Sequence, residues 1–223
     1  MVQLNYDDSS SKVIKAAERH LHLCEQNENA HSYRDSILPL LENLRTRHEE
    51  RLQADRAVTF ATDNIYMSDS RLDNEVRRIS RRCKTYDMDN PGNKTLDIVF
   101  PGGVFSPIVS LPLTQEPDAV EQLLNRLESL GEEHELYPLA QPVYSFIEDC
   151  RNAFTNREAL IAAASQARTA EDIAKMSVIR QYNANYFAAA HDIDKYYAEN
   201  LYPRFKHSEK ETADIDPVEN EEI

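Results

Sequence analysis

Four side chains of metal-ligand type, His20, Cys24, Glu28 and His31, are spaced by four, four and three residues. On one unbroken helix they would share a face. Glu28-Asn-Ala-His31 also spells the Glu-x-x-His element of carboxylate-bridged di-iron bundles. Such a bundle needs a second copy of the element and two further glutamates on facing helices, and the chain has no second Glu-x-x-His. Asn27 and Asn29 favour a turn inside the series. Cys24 lies on an apolar stripe, where a buried inert thiol is the ordinary state. The expectation is therefore no metal site, with His20, Cys24, Glu28 and His31 as weak candidates, and no cofactor.

Other catalytic patterns are incomplete. Gly-x-Ser-x-Gly is absent, and His48-Glu-Glu-Arg-Leu52 fails the His-Glu-x-x-His zinc pattern at its last position. Pro91-Gly-Asn-Lys94 is too short for a phosphate-binding loop. The expectation is a protein without enzymatic activity.

Three sets of residues suggest contact instead. Arg71, Arg77, Arg78, Arg81, Arg82 and Lys84 are opposed within their stretch only by Asp73 and Glu75. Pairs four apart on a helix repel by a few tenths of a kcal/mol. The expected compensation is pairing with the acidic residues downstream, Glu116, Asp118, Glu121 and Glu128 among them. The second set is aromatic: Tyr182, Tyr186, Phe187, Tyr196, Tyr197, Tyr202 and Phe205 crowd the C-terminal part of the chain. At helical spacing these serve a core or a protein interface. The third is the apolar run 96–111, with Phe100, Phe105 and Ile108 around Pro101-Gly-Gly103. β-Branched and aromatic runs about a Pro-Gly-Gly turn predict a β-hairpin. A long helical bundle with such a tongue resembles the α-helical pore-forming cytolysins in architecture. That resemblance implies membrane insertion through 96–111. The expected interaction residues are Arg77, Arg78, Arg81, Arg82, Phe100, Phe105, Ile108, Tyr186 and Tyr197.

The elements that must carry these residues are long helices. The 223 residues hold only four glycines, all between Gly92 and Gly131, and seven of ten prolines fall between Pro91 and Pro142. Glycine at that frequency argues for few turns. Asp7-Asp-Ser-Ser10 can cap a first helix, and Ser32-Tyr-Arg-Asp35 a second. From there Ile37, Leu41, Leu44 and His48 begin an apolar stripe. It blurs between Leu52 and Val58 and resumes as Ile65, Asp69, Leu72, Val76, Ile79, Cys83 and Tyr86. Alternating fours and threes predict a coiled-coil or bundle seam about 50 residues long, roughly 75 Å. A short acidic helix is expected between Pro117 and Gly131. A second long arm is expected from Tyr137, with Val143, Ile147, Cys150, Phe154, Arg157, Ile161 and Ala164 and then Ile173, Met176, Tyr186, Ala190, Ile193, Tyr197 and Leu201 on its apolar face.

The expected organisation is an N-terminal helical arm over 1–88, a central hairpin and short helix over 89–136, a C-terminal arm over 137–206, and an acidic disordered tail over 207–223, with the arms forming one domain. The fold class is all-α, an elongated antiparallel bundle or coiled coil with a small central β-hairpin. The net charge of −14 repels nucleic acid and anionic membranes. Three scattered cysteines, no secretory signal and no run of about 18 apolar residues suggest a cytoplasmic chain. Its expected role is a helical scaffold or interaction protein that self-associates or binds another protein. The alternatives are a membrane-active or partner-inserting bundle using 96–111, and a metal-binding helical enzyme.

Overall fold

The computed structural model describes residues 4–203. The expected acidic tail lies outside the described residues. Among the described residues seven α-helices follow in order: α1 (Ser10–Glu25), α2 (His31–Asp89), α3 (Thr95–Val99), α4 (Ser106–Val109), α5 (Glu116–Glu128), α6 (Gln141–Asp192) and α7 (Lys195–Asn200). Single 3-10 turns occupy Glu28–Ala30 and Tyr137–Leu139. Among the described residues there is no strand. The chain divides into two compact units, Met1–Glu49 with Thr169–Ile223, and Glu50–Arg168.

In the first unit the N-terminal part of α2 and the C-terminal part of α6 pack with α1 and α7. Ser9 caps α1, its Oγ accepting the N–H of Lys12 at 3.3 Å. Asn27 closes the helix, its side-chain amide donating to the Leu23 carbonyl at 2.8 Å. That bond satisfies a carbonyl at the end of the helix and breaks the series that a metal site would need. Val13, Ala16, Ala17 and Cys24 of α1 meet Ile37, Leu41 and Leu44 of α2 in the core. From α6 the core takes Ala174, Val178, Ile179, Tyr182 and Ala189. This is a different stripe from the expected Ile173, Met176 and Tyr186: Ile173 is exposed, and Met176 and Tyr186 are half-buried. Alanine gives a weak apolar signal in a sequence, but its small side chain lets helices approach closely. α6 runs on through Thr169 without a new start, and α2 runs through Pro39.

In the second unit the seam Leu72, Val76, Ile79 and Cys83 of α2 faces Val143, Ile147 and Cys150 of α6. α5 inserts Val120, Leu123, Leu124 and Leu127. The segment 96–111, expected as a β-hairpin, folds as the two short helices α3 and α4. Both carboxylate oxygens of Asp87, near the end of α2, accept backbone N–H groups of the first turn of α3: Thr95 and Leu96, at 2.9 Å each. This long-range cap supplies the acceptors that a helix start requires and overrides the β-propensity of Thr95, Ile98 and Val99. Gly102 and Gly103 follow with φ of 83° and 70°, a left-handed pair that carries the chain from α3 toward α4.

One stretch of this unit has little core. Between 51 and 68 of α2 only Ala61 and Ile65 are buried, and between 151 and 168 of α6 only Ala164. Here the helices run antiparallel, joined by Arg168 to Asp55 at 2.8 Å and by Arg157 Nε to Thr62 Oγ1 at 2.9 Å.

Candidate functional site

The four ligand-type residues do not converge. His20 and Cys24 are buried in the first unit, while Glu28 and His31 are exposed beyond the break at Asn27. His20 Nδ1 donates to the Leu201 carbonyl at 2.8 Å. Its Nε2 then accepts from Asn185 Nδ2 at 3.3 Å. The ring stacks on Tyr202 at 4.4 Å between centroids and meets Tyr182 edge-on at 5.3 Å. Burial holds His20 below its ordinary pKa, against the opposing effect of the Leu201 bond. The ring is thus a neutral strut that ties the turn after α7 to α1. Burial also pushes the Cys24 and Cys83 thiols up to about 12 and Cys150 to about 11, so all three stay protonated and unreactive at neutral pH. Among the described residues no group of three or more His, Cys, Asp and Glu is arranged to hold a metal ion.

A buried acidic group, not singled out by the sequence, sits in the second unit. Glu116, in the first turn of α5, is only 2% exposed. Its carboxyl neighbours are Asp69 and Asp73 of α2. Burial first, and then these two carboxyls, push its pKa up to about 9. Glu116 is therefore protonated at neutral pH, and this removes one of three like charges. Oε1 of Glu116 and Oδ1 of Asp73 are buried and accept no hydrogen bond.

The basic cluster is not compensated as expected. Arg77 pairs with Asp73 at 2.9 Å and Arg78 with Glu75 at 2.5 Å, both within α2. Asp118 and Glu121 of α5 instead hold Arg151 of α6, at 2.6 and 2.7 Å. Arg81 and Arg82 are exposed.

The apolar run 96–111 is only partly on the surface, with Ile98 and Val104 exposed. Phe100 and Ile108 are buried, and Phe105 is half-buried against the same core. The β-hairpin that carried the resemblance to pore-forming cytolysins is not formed among the described residues. Nor is any helix among the described residues long and apolar enough to cross a membrane. Tyr186 and Tyr197 are half-buried and pack against the first core, while Phe187 and Tyr196 beside them are exposed.

The surface that sequence reasoning missed lies on the two-helix stretch. Phe60 is 65% exposed, Tyr66 59%, Met67 58% and Ile161 42%. Phe60 and Met67 are seven residues apart and share one helix face. Residues 57–67 and 159–167 contain a single charged side chain, Asp63, in a chain that is 29% charged. A helix surface in water is ordinarily charged, so a charge gap coinciding with exposed aromatics makes this stretch the candidate contact surface. The blur of the stripe at Leu52–Val58 and the alanines at 159, 162, 163 and 164 were its trace in the sequence.

Two surface concavities of about 280 and 270 Å³ are lined by Glu18, Arg19, His22 and Leu23, and by residues including Asp118, Arg151 and Glu158. Both are below the usual size of a small-molecule site, roughly 300–1,000 Å³, and neither joins the buried polar groups. Compared with protein-family models, with curated proteins and with solved structures, the chain matches none.

Proposed function

We propose that this chain is a non-enzymatic assembly protein, whose long helices pair with those of a second copy through the charge-poor stretch of residues 57–67 and 159–167. The observation that carries the reading is the exposure of Phe60, Tyr66, Met67 and Ile161 where charge is missing from both helices. Charge also argues for the identity of the partner. Two copies at −14 each repel, and that repulsion is smallest where the charged side chains are fewest. An apolar face whose single charged side chain is Asp63, three residues from Phe60 and four from Met67, is largely complementary to itself and does not select a strongly charged partner.

Burying a large apolar side chain is worth roughly 1.5–3 kcal/mol when it starts fully exposed. Four such side chains, Phe60 and Met67 from each copy and each already partly covered, contribute on the order of 5 kcal/mol. That is comparable with the roughly 4–15 kcal/mol cost of association, so a reversible assembly fits better than an obligate one. In the pair the two-helix stretches would form a four-helix layer, with coiled-coil packing of the long helices as its finer geometry.

Light scattering on the wild type and on the double variant Phe60→Glu, Met67→Glu tests the proposal. Both positions are exposed, so circular dichroism should be unchanged. The wild type should exceed its monomer mass of 25.7 kDa while the variant falls to it. Equal masses for the two proteins would reject this face.

A further inference from the structure

Ser11 of α1, His48 of α2 and Glu171 of α6 meet within the first unit. Glu171 is 5% exposed, and its Oε1 accepts the Nδ1–H of His48 at 2.7 Å. A carboxylate oxygen only accepts, so the proton of the neutral ring is on Nδ1. The Nε2 lone pair then faces Ser11 Oγ, 3.5 Å away, and accepts from its hydroxyl. A buried carboxylate, an oriented imidazole and an exposed hydroxyl thus follow one another in the order that activates a nucleophile. Ser11 lies in the first turn of α1, where the Lys12 N–H goes to Ser9 Oγ and the Val13 N–H to the Ser9 carbonyl. The Ser11 N–H comes before these and has no acceptor within the helix. It adjoins its own Oγ and can donate to the oxygen that turns negative in a tetrahedral adduct.

We propose that Ser11 is a covalent modification site, whose Oγ takes an acyl group from an activated ester or thioester with His48 as the base. Oγ attacks the carbonyl carbon, and its proton passes to His48 Nε2. The bond from that carbon to the leaving oxygen or sulfur breaks, and the proton departs with the alcohol or thiol. An activated donor needs no deep cleft, and neither surface concavity described above is lined by any of the three residues. The transfer is therefore a single acylation rather than a turnover. Burial keeps the three thiols protonated, so they do not compete for the donor. This inference does not depend on the self-association reading.

Treatment of the full chain with p-nitrophenyl acetate at pH 8, with the adducts located by tandem mass spectrometry, tests it. The acetyl group should reach Ser11 at least tenfold faster than Ser9 and Ser10, which share the peptide but not the imidazole. His48→Gln should slow the Ser11 reaction at least tenfold. Acetylation of Lys15, exposed on the same helix, should be unchanged in that variant and controls for reagent and folding. Glu171 acts through His48 and is a positioning residue. In Glu171→Gln an amide N–H can face Nδ1 and admit the other tautomer. Imidazole 15N spectra should therefore pass from Nδ1–H in the wild type to a mixture in the variant, with a slower Ser11 reaction. The proposal is overturned if Ser11 is acetylated no faster than Ser9 and Ser10, or at an unchanged rate in His48→Gln. It is equally overturned if wild-type His48 carries its proton on Nε2.

Discussion

Glu116→Gln should make the second unit more stable at neutral pH and flatten its pH dependence. Glu116 is 2% exposed, and its pKa rises from 4.5 to about 9, through burial first and then through Asp69 and Asp73. Between those values the folded chain keeps a proton that the unfolded chain releases. The stability contributed by this group is fully present below pH 4.5 and is lost as pH rises toward 9. Each pH unit in that window costs about 1.4 kcal/mol. At pH 7 the cost reaches about 3 kcal/mol at most, and it depends only on the folded value lying above 7. Glutamine has the same shape and no charge, and its N–H group donates toward the facing carboxylates as the acid's O–H does. Urea unfolding followed through α5 is the assay. The variant should gain roughly 1 kcal/mol or less at pH 5 and about 2–3 kcal/mol at pH 7. A variant less stable than wild type at pH 7, or two parallel pH curves, would refute the assignment of a buried proton to Glu116.

Three further outcomes follow from the two cores. The first unit should lose stability as pH falls through 6.5, because neutral His20 must be protonated on unfolding, and His20→Gln should lessen the slope; slow amide exchange in α1 that is indifferent to pH between 7 and 5 would contradict this. Tyr202→Phe should cost about 1 kcal/mol, since its hydroxyl donates to the Tyr182 carbonyl at 2.8 Å, whereas Tyr182→Phe should cost nothing, because its buried hydroxyl has no partner; denaturant midpoints that rank the pair in the opposite order would show the polar assignment to be wrong. Asp87→Ala should cost about 1–2 kcal/mol and expose amides of α3 to exchange, the magnitude of a lost helix cap, and unchanged exchange at Thr95–Val99 would disprove the cap.

What could be read from the sequence was whatever local spacing determines. The cap at Ser9, the break at Asn27, the seam from Leu72 to Cys83 and the limits of α5 all follow from residues near them in the chain. The central hairpin was misread because its decisive partner, Asp87, lies eight and nine residues before the amides it holds. Local β-propensity carries no trace of such a bond. Similarly, the arginines were assigned to the acids of α5, but Arg151 reaches those acids from another helix. In α6 the buried stripe is built largely from alanine and tyrosine, and larger neighbours such as Ile173 gave the louder and misleading periodicity. The charge gap at 57–67 and 159–167 was visible in the sequence. Its meaning depended on knowing that the core stops short of it.

The central claim is that two copies meet on that gap, and sedimentation equilibrium on the wild type and on Ile161→Glu tests it most directly. Ile161 is 42% exposed and lies on the helix opposite Phe60, so its replacement probes the face without disturbing either core. The account predicts a wild-type mass that climbs above 25.7 kDa with concentration, and an Ile161→Glu mass that stays at the monomer value under the same conditions. A wild type that remains at 25.7 kDa into the hundred-micromolar range, or an Ile161→Glu variant that associates as strongly as the wild type, would contradict it.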